Sequence, residues 1–387
     1  MIFHMKRVAL LLTVLLSAIF PARSQGKQKF LTMNGYLSTM QSVMFDSLSG
    51  QFMNDNLIHN RINLKGYVNK NITFAAEFRN RLFTGDMVRT IPSYSYLIAE
   101  DQGFVDMSWN LLNEPSFFLN TTIDRLWADF NYGKFQARIG RQRINWGQTL
   151  IWNPNDVFNA YSFFDFDYIE RPGSDAVRLQ YYPTYSSALE FAIKADYNNN
   201  ITAASLYRFN KWGYDIQFLA GYIGSADLMA GAGWSGAFGS LSFRGEVSWF
   251  QPYRNFSDTT GTGIFTFGFD RSFKNNSMAQ LQLMFCNNPV DLLNFTDFYY
   301  GTLSAKELAF SKFTAFGSFT WPITPLFNAT LSAMWFPDLS GFYAGPSFDY
   351  SVAENVDLSL YWQYFKSKTS DITENINMVF LRAKISF

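Results

Sequence analysis

From about residue 30 to its last residue, the chain alternates apolar and polar side chains with a period of two, segment after segment. The stretch 57–69, LIHNRINLKGYVN, shows the pattern. One face carries His59, Arg61, Asn63, Lys65, Tyr67 and Asn69; the other carries Ile58, Asn60, Ile62, Leu64, Gly66 and Val68. In 72–82, Thr73, Ala75, Glu77, Arg79 and Arg81 stand opposite Ile72, Phe74, Ala76, Phe78, Asn80 and Leu82. Successive side chains go to opposite faces in a β-strand, so both stretches read as strands. Asn69-Lys70-Asn71 between them has the composition of a tight turn.

A soluble β-sandwich also alternates, so other features must name the solvent. Aromatic residues gather at strand ends, as in Tyr181-Tyr182, Tyr207 and Phe209, Trp249-Phe250, Trp321 and Trp335-Phe336. That placement suits the interfacial girdles of a membrane barrel. The apolar face also continues through strand after strand, which a two-sheet core does not require. Aromatics make up 19 % of the chain and charged residues only 16 %. Yet beyond the N-terminal region no apolar run approaches the roughly 20 residues of a spanning helix. The expected fold is all-β: one closed antiparallel transmembrane β-barrel of about 18 strands, with about 16 as the alternative count.

The connections give an independent check. Strands fall near 30–45, 57–69, 72–83, 122–132, 134–143 and 174–182, and so on to 307–322, 325–336 and 375–387. The turns on one side are all short, whereas 84–121, 144–173, 251–260, 287–306 and 367–374 fall on the other. Short periplasmic turns and longer extracellular loops are the barrel pattern.

Lys6 and Arg7, the apolar run Val8 to Ile19 and the small-x-small triplet Ala22-Arg23-Ser24 read as a secretory signal. Residues 1–24 are therefore expected to be cleaved, leaving 25–387 as the barrel in the outer membrane of a Gram-negative bacterium. The last strand presents Val379, Leu381, Ala383, Ile385 and Phe387. This ending resembles the C-terminal signal read by the outer-membrane barrel assembly machinery. That machinery and outer-membrane lipid are the expected partners.

Several function classes lack their chemistry. The 31 basic residues match 31 acidic ones, which argues against nucleic acid. Cys286 is the only cysteine, so there is no internal disulfide and no Cys-rich metal site. His4 falls in the signal and His59 stands alone, so no metal or other cofactor is expected. His59 is also the only candidate general base. With no G-x-S-x-G run and no nucleophile–base set, the chain is not expected to be an enzyme.

Polar faces point into the lumen, because charges facing lipid cost a few kcal/mol each near the midplane. The second to sixth strands would place Arg61, Lys65, Arg79, Arg81, Arg125, Arg138 and Arg178 inside, and the last adds Arg382 and Lys384. Acids in that sector are fewer, chiefly Glu77 and Asp129. Two readings stand. The charges pair across strands and fill a polar interior, or they form a basic wall that selects anions.

One stretch departs from plain alternation: GRQRINWGQTLIWNPNDVFNA at 140–160. It opens the connection 144–173, which carries Trp146, Trp152, Phe158, Tyr161, Phe163, Phe164, Phe166 and Tyr168. So apolar a loop is expected to fold into the barrel mouth and constrict it rather than stand in water. Its charges are mostly acidic, Asp156, Asp165, Asp167 and Glu170 against Arg171. An acidic loop opposite a basic wall sets a transverse field. Arg141 and Arg143 are expected to anchor the loop to Asp156, Asp165 or Asp167.

The run G-R-Q at 140–142, W-G at 146–147, N-P-x-D at 153–156 and R-P-G-S-D-A at 171–176 resembles a signature of uncharacterised Gram-negative outer-membrane porins. These are similar to alginate-export-type barrels. The resemblance implies a β-barrel of the channel class and assigns no solute. The alginate channel lines its lumen with arginine for a polyanion, a tendency this chain shares in part. The functional expectation is a passive channel for small hydrophilic, anionic solutes. The alternative is a non-conducting barrel that serves as scaffold or subunit of an outer-membrane complex. A homo-oligomer stays open, since the small residues of 226–236 would allow close packing of another barrel.

Overall fold

The computed structural model describes residues 30–387 apart from 162, 165, 166, 169, 255, 258, 291–303, 370 and 371. The expected signal at 1–24 therefore lies outside the described residues. The strands are β1 (Leu31–Phe45), β2 (Phe52–Tyr67), β3 (Ile72–Gly85), β4 (Ser108–Glu114), β5 (Phe117–Tyr132), β6 (Phe135–Gln142) and β7 (Ser174–Thr184). They continue as β8 (Ser187–Ala195), β9 (Ile201–Lys211), β10 (Tyr214–Ile223), β11 (Asp227–Phe238), β12 (Leu241–Pro252) and β13 (Thr262–Ser272). The last are β14 (Met278–Cys286), β15 (Phe313–Thr324), β16 (Phe327–Phe336), β17 (Gly341–Ala353), β18 (Val356–Thr369) and β19 (Ile372–Ser386).

All pairings are antiparallel between neighbours, and β1 pairs with both β2 and β19, which closes the sheet. Of the 19 strands, β4 pairs only with β5, extending it beyond the reach of β6, so the closed ring has 18. Closure leaves the 18-strand ring without a free edge among the described residues, the condition for spanning hydrocarbon, and only the short β4 at its end keeps one. The short turns follow local chemistry. Trp212 and Gly213 both take positive φ, 57° and 80°, in a two-residue turn that closes the Lys211–Tyr214 pair.

The two faces sort as the period predicts, with the interior polar and the exterior apolar. Ile58 is 44 % exposed, whereas His59 is 1 % and Arg61 0 % exposed. Exposed apolar side chains run round the outside, among them Leu189, Phe218, Phe265, Leu331 and Leu381. Large aromatics mark the rims, Trp249 and Trp335 at one end and Trp212, Phe238 and Trp321 at the other. The buried apolar cluster lies inside the ring, where residues of 144–164 meet inward side chains such as Phe250, Met284 and Phe316.

Three features depart from expectation. The connection 84–121 is not plain loop: it holds α1 (Asp86–Thr90), α2 (Tyr94–Ala99) and β4. Strand β15 starts at Phe313 rather than 307, and the residues before it fold inward: Ala305, Leu308 and Ala309 join the interior cluster. Lys306 holds that segment through Asp227, with Nζ 2.9 and 3.0 Å from its two oxygens. Finally, β5 carries a bulge opposite Glu77 and Phe78, whose partners are Arg125 and Ile123. The extra residue is Asp124, and the bulge turns both Asp124 and Arg125 inward.

Candidate functional site

Strand β6 ends at Gln142 and β7 begins at Ser174, and the connection between them folds into the barrel. Its neck is closed by neutral hydrogen bonds. Asn159 Oδ1 accepts the Ile144 N–H at 2.8 Å, and Asn159 Nδ2 donates to the Pro172 carbonyl at 3.0 Å. Arg141 works beside the neck. It donates to Asp175 at 2.7 and 2.9 Å, to Asp101 at 2.6 Å and to the Val105 carbonyl at 2.6 Å. It therefore ties the neck to the connection after β3, not to Asp156 or Asp167 as expected.

The first half of the loop, 144–160, lies against the wall from β8 to β15. The Trp146 indole donates to Glu190 at 3.2 Å, and Gln217 donates to the Trp146 carbonyl at 2.6 Å. Gln282 accepts the Ile151 N–H at 2.9 Å and donates to the Trp152 carbonyl at 3.1 Å. Glu246 is the centre of this attachment. Wholly buried, it accepts the N–H of Gln148, the N–H of Thr149 at 2.7 Å, the Thr149 hydroxyl at 3.1 Å and the Asn155 N–H at 2.9 Å. One carboxylate thus satisfies three backbone donors that would otherwise be buried unpaired. Asn155 also donates to the Ala232 carbonyl and accepts from Ser248. Room for it comes from β11: a Cβ at Gly231 would lie 2.6 Å from Asn155 Oδ1. Gly231 and Gly233 thus serve the inside of the barrel, whereas Ala226 and Ala230 are exposed.

The second half runs back along β17, β18, β19, β2 and β3. Phe164 packs edge-on against Tyr343 and Phe365, with centroids 5.2 and 4.9 Å away. Asp167 Oδ2 lies 3.0 Å from His59 Nδ1, and Asp167 Oδ1 is 3.8 Å from Arg382. Burial alone would raise the Asp167 carboxyl. The His59 hydrogen bond and the charges of His59, Arg382 and Arg79 outweigh it and hold the group below the usual carboxylate range. Tyr168 lies under Arg79, whose guanidinium is 3.8 Å from the ring centroid. Glu170 is 3.6 Å from Arg61 and accepts from the Tyr36 hydroxyl at 3.4 Å. Arg125 donates to the carbonyls of Glu170 and Arg171 at 2.7 and 2.8 Å.

The basic side chains meet more acid than the alternation implied. Arg61 and Arg79 stand directly opposite across β2 and β3, an unfavourable pairing by itself. Asp124 lies between them, paired with Arg61 and 3.5 Å from Arg79, while Glu77 takes a second arm of Arg61. Arg138 and Arg178 also face each other, and each has its own acid: Asp129 at 2.7 Å and Glu190 at 2.6 Å. Arg81 donates to Asn120, and Arg382 to the Tyr361 hydroxyl. Lys65 sits over Tyr67 and Lys384 over Tyr36, with no carboxylate within 4.0 Å of either among the described residues.

Arg143 also differs from expectation. It lies 5.6 Å from the Tyr161 ring centroid and forms no ion pair among the described residues. Asp156 is enclosed, 1 % exposed, beside Glu246 and Arg143. Asp165 lies outside the described residues. His59 emerges as a clasp between Tyr36 and Asp167. Below the first half, a cavity of about 330 Å³ lies against β7 to β10, lined in part by Asn145, Gln148, Tyr182, Arg208, Asp215 and Gln217. No three His, Cys, Asp or Glu are grouped to hold a metal ion among the described residues.

No family model and no curated protein matches the chain. Solved structures do. OccK11 (OpdR) of Pseudomonas aeruginosa aligns with a TM-score of 0.59 over 95 % of this chain and 99 % of that one, at 9 % identity. OccK5 (OpdH) of the same organism gives 0.59 over 93 % and 100 %, also at 9 %. OccAB2 of Acinetobacter baumannii gives 0.57 over 93 % and 100 %, again at 9 %. At such identities the likeness is one of fold: the chain is an 18-strand transmembrane β-barrel similar in architecture to these proteins.

Proposed function

We propose that the protein is an outer-membrane channel for passive diffusion of small hydrophilic solutes, constricted by 144–173 and preferring anions. The observation that carries this reading is the path of the loop. It is bonded to Glu246 on one wall and to His59 on the wall across the ring. A segment so suspended sets the bore of whatever passage remains. The cavity beneath it, whose lining includes Arg208, Gln217, Asn145 and residues of the Tyr182–Ser187 turn region, is where a polar route toward the short turns would run. Anion preference draws support from Lys65 and Lys384, which have no carboxylate within 4.0 Å among the described residues, and from Arg125, whose bonds go to carbonyls.

Planar-bilayer recording tests this. Folded protein should give discrete conductance steps, and a salt gradient should give a reversal potential of anionic sign. Clear cation selectivity refutes the anion preference. Absence of steps favours a plugged scaffold barrel, a reading that the apolar packing of Trp152, Phe158 and Phe164 inside the ring also supports. Deleting 150–168 should raise conductance several-fold. Unchanged conductance would remove the loop from the pore.

A further inference from the structure

Among the described residues, the carboxyl of Asp156 in the N-P-N-D turn takes part in none of the hydrogen bonds that seat the loop. Its own N–H closes the turn on the Asn153 carbonyl, but its carboxyl is enclosed. Neither carboxyl oxygen makes a hydrogen bond of ordinary geometry among the described residues, and the Asn159 N–H supports it only weakly. The charged groups facing it come from three elements: Arg143 from the segment after β6, Lys194 from β8 and Glu246 from β12. Lys194 spends its hydrogen bond on the Phe158 carbonyl at 2.6 Å, and its charge is shared among Asp156, Asp196 and Asp175, in that order. Arg143 does not close on Asp156, and its Nε is itself buried with no hydrogen-bond partner among the described residues. Glu246 next door is committed to backbone donors.

A carboxyl enclosed with so few donors fits the neutral acid better than the anion. We propose that Asp156 is a proton-operated positioning residue: protonated, it keeps 144–160 seated on the wall, and its ionisation loosens that segment. The proposal rests on reading 144–173 as the constriction. Burial, opposed by Arg143 and reinforced by Glu246, pushes the Asp156 carboxyl up to about 7 from 3.8. The seated form therefore binds the proton more tightly than the unseated form. Seating is strongest below the unseated value and weakens as pH rises, by up to about tenfold per pH unit, levelling off near the seated value. Ionised Asp156 would seek Arg143, and both side chains have unspent bonding capacity.

Hydrogen exchange on the folded full chain in detergent tests this without needing current. Native protein and Asp156→Asn are compared at the same pH from about 4 to about 8, so the intrinsic pH dependence of exchange cancels. Protection of 144–160 should coincide in the two near pH 4 and diverge as pH rises, with native lower by at least about tenfold at pH 7. Asp156→Ser should behave like the Asn variant. A ratio that stays flat across the range, or divergence spread equally over the strands, overturns the proposal. A barrel that keeps this exchange profile but never conducts fails the channel reading alone. In bilayers the same switch should raise the frequency of current transitions with pH in the native channel only.

Discussion

The two halves of the inserted loop are held by different forces. Residues 144–160 are fastened by hydrogen bonds to buried wall side chains, chiefly Glu246, Gln282 and Gln217, within an apolar surround. Among the described residues of 163–171, Phe163 and Phe164 pack against aromatic rings, and the polar ones are fastened by charge: Asp167 to His59 and Arg382, Glu170 to Arg61, Tyr168 to Arg79. The difference teaches that one loop can answer the solution in two ways. Dry hydrogen bonds are nearly indifferent to ionic strength, whereas the pairs of Asp167 and Glu170, whose acids keep 16 % and 26 % of their surface exposed, weaken as salt rises, though less than fully exposed pairs. The pH responses also run in opposite senses. Asp167 is held below its ordinary value of 3.8, so its clasp is complete above that value and is lost as pH falls through the depressed one. Asp156 weakens its half as pH rises from 3.8 toward about 7. Near pH 4 is therefore where the two halves together should sit most firmly.

The largest expected break in this comparison is Glu246→Ala. It strands the N–H groups of Gln148, Thr149 and Asn155, each at about 1–3 kcal/mol if left buried and unpaired. Protection of 146–157 should collapse by about a hundredfold or more, since the three losses together come to at least about 3 kcal/mol, against roughly 2.8 kcal/mol for a hundredfold. The strands should keep their protection, because their own ladder is untouched. Glu246→Gln keeps one acceptor and should lose less. If Glu246→Ala leaves 146–157 fully protected, the carboxylate is not the pin.

The barrel itself was largely legible in the sequence, because its period-two signal is repeated in every spanning strand and the short turns fix the parity. What escaped did so for definable reasons. Asp124 reads as lipid-facing until the bulge turns it inward, since one extra residue reverses the parity and no local residue announces it. Strand β4 carries its own irregularity between Asn110 and Leu112, which blurs its alternation. The loop's insertion was readable from its aromatics. Its partners were not: Glu246 is 97 residues from Thr149, and Gln282 is 131 from Ile151. Arg141 could have been paired better, because Asp175 lies within the same conspicuous run and stands opposite it in the β6–β7 register.

A middle-sized effect separates the halves by chemistry. Asp167→Asn removes the charge that faces His59 and Arg382, roughly 1–2 kcal/mol for a partly buried clasp. Protection of 163–171 should fall about tenfold, with 146–157 unchanged. In native protein, raising salt from about 0.1 to about 1 M shortens the screening length from about 10 to about 3 Å. That should move 163–171 in the same direction as the substitution, and Asp167→Asn should show a smaller salt response. Equal salt responses in the two halves would erase the distinction drawn between them.

The smallest expected effect is the sharpest test of location, because it touches only the wall. At Gly231 an added methyl would meet Asn155 Oδ1 at 2.6 Å and Met229 Cε at 2.8 Å, and the Val247 carbonyl at 3.1 Å. The first two are ends of flexible side chains, so Gly231→Ala is accommodated mainly by moving Asn155. Exchanging Gly for Ala within a strand gains about 0.5–1 kcal/mol, which offsets part of the crowding. The melting temperature of the barrel should therefore change little. Asn155 would be pushed off Ser248, and protection near 153–157 should fall only a few-fold, with 163–171 unaffected. A change confined to 163–171 would place Asn155 elsewhere. A large loss of barrel stability would mean that the glycine serves the sheet and not the loop.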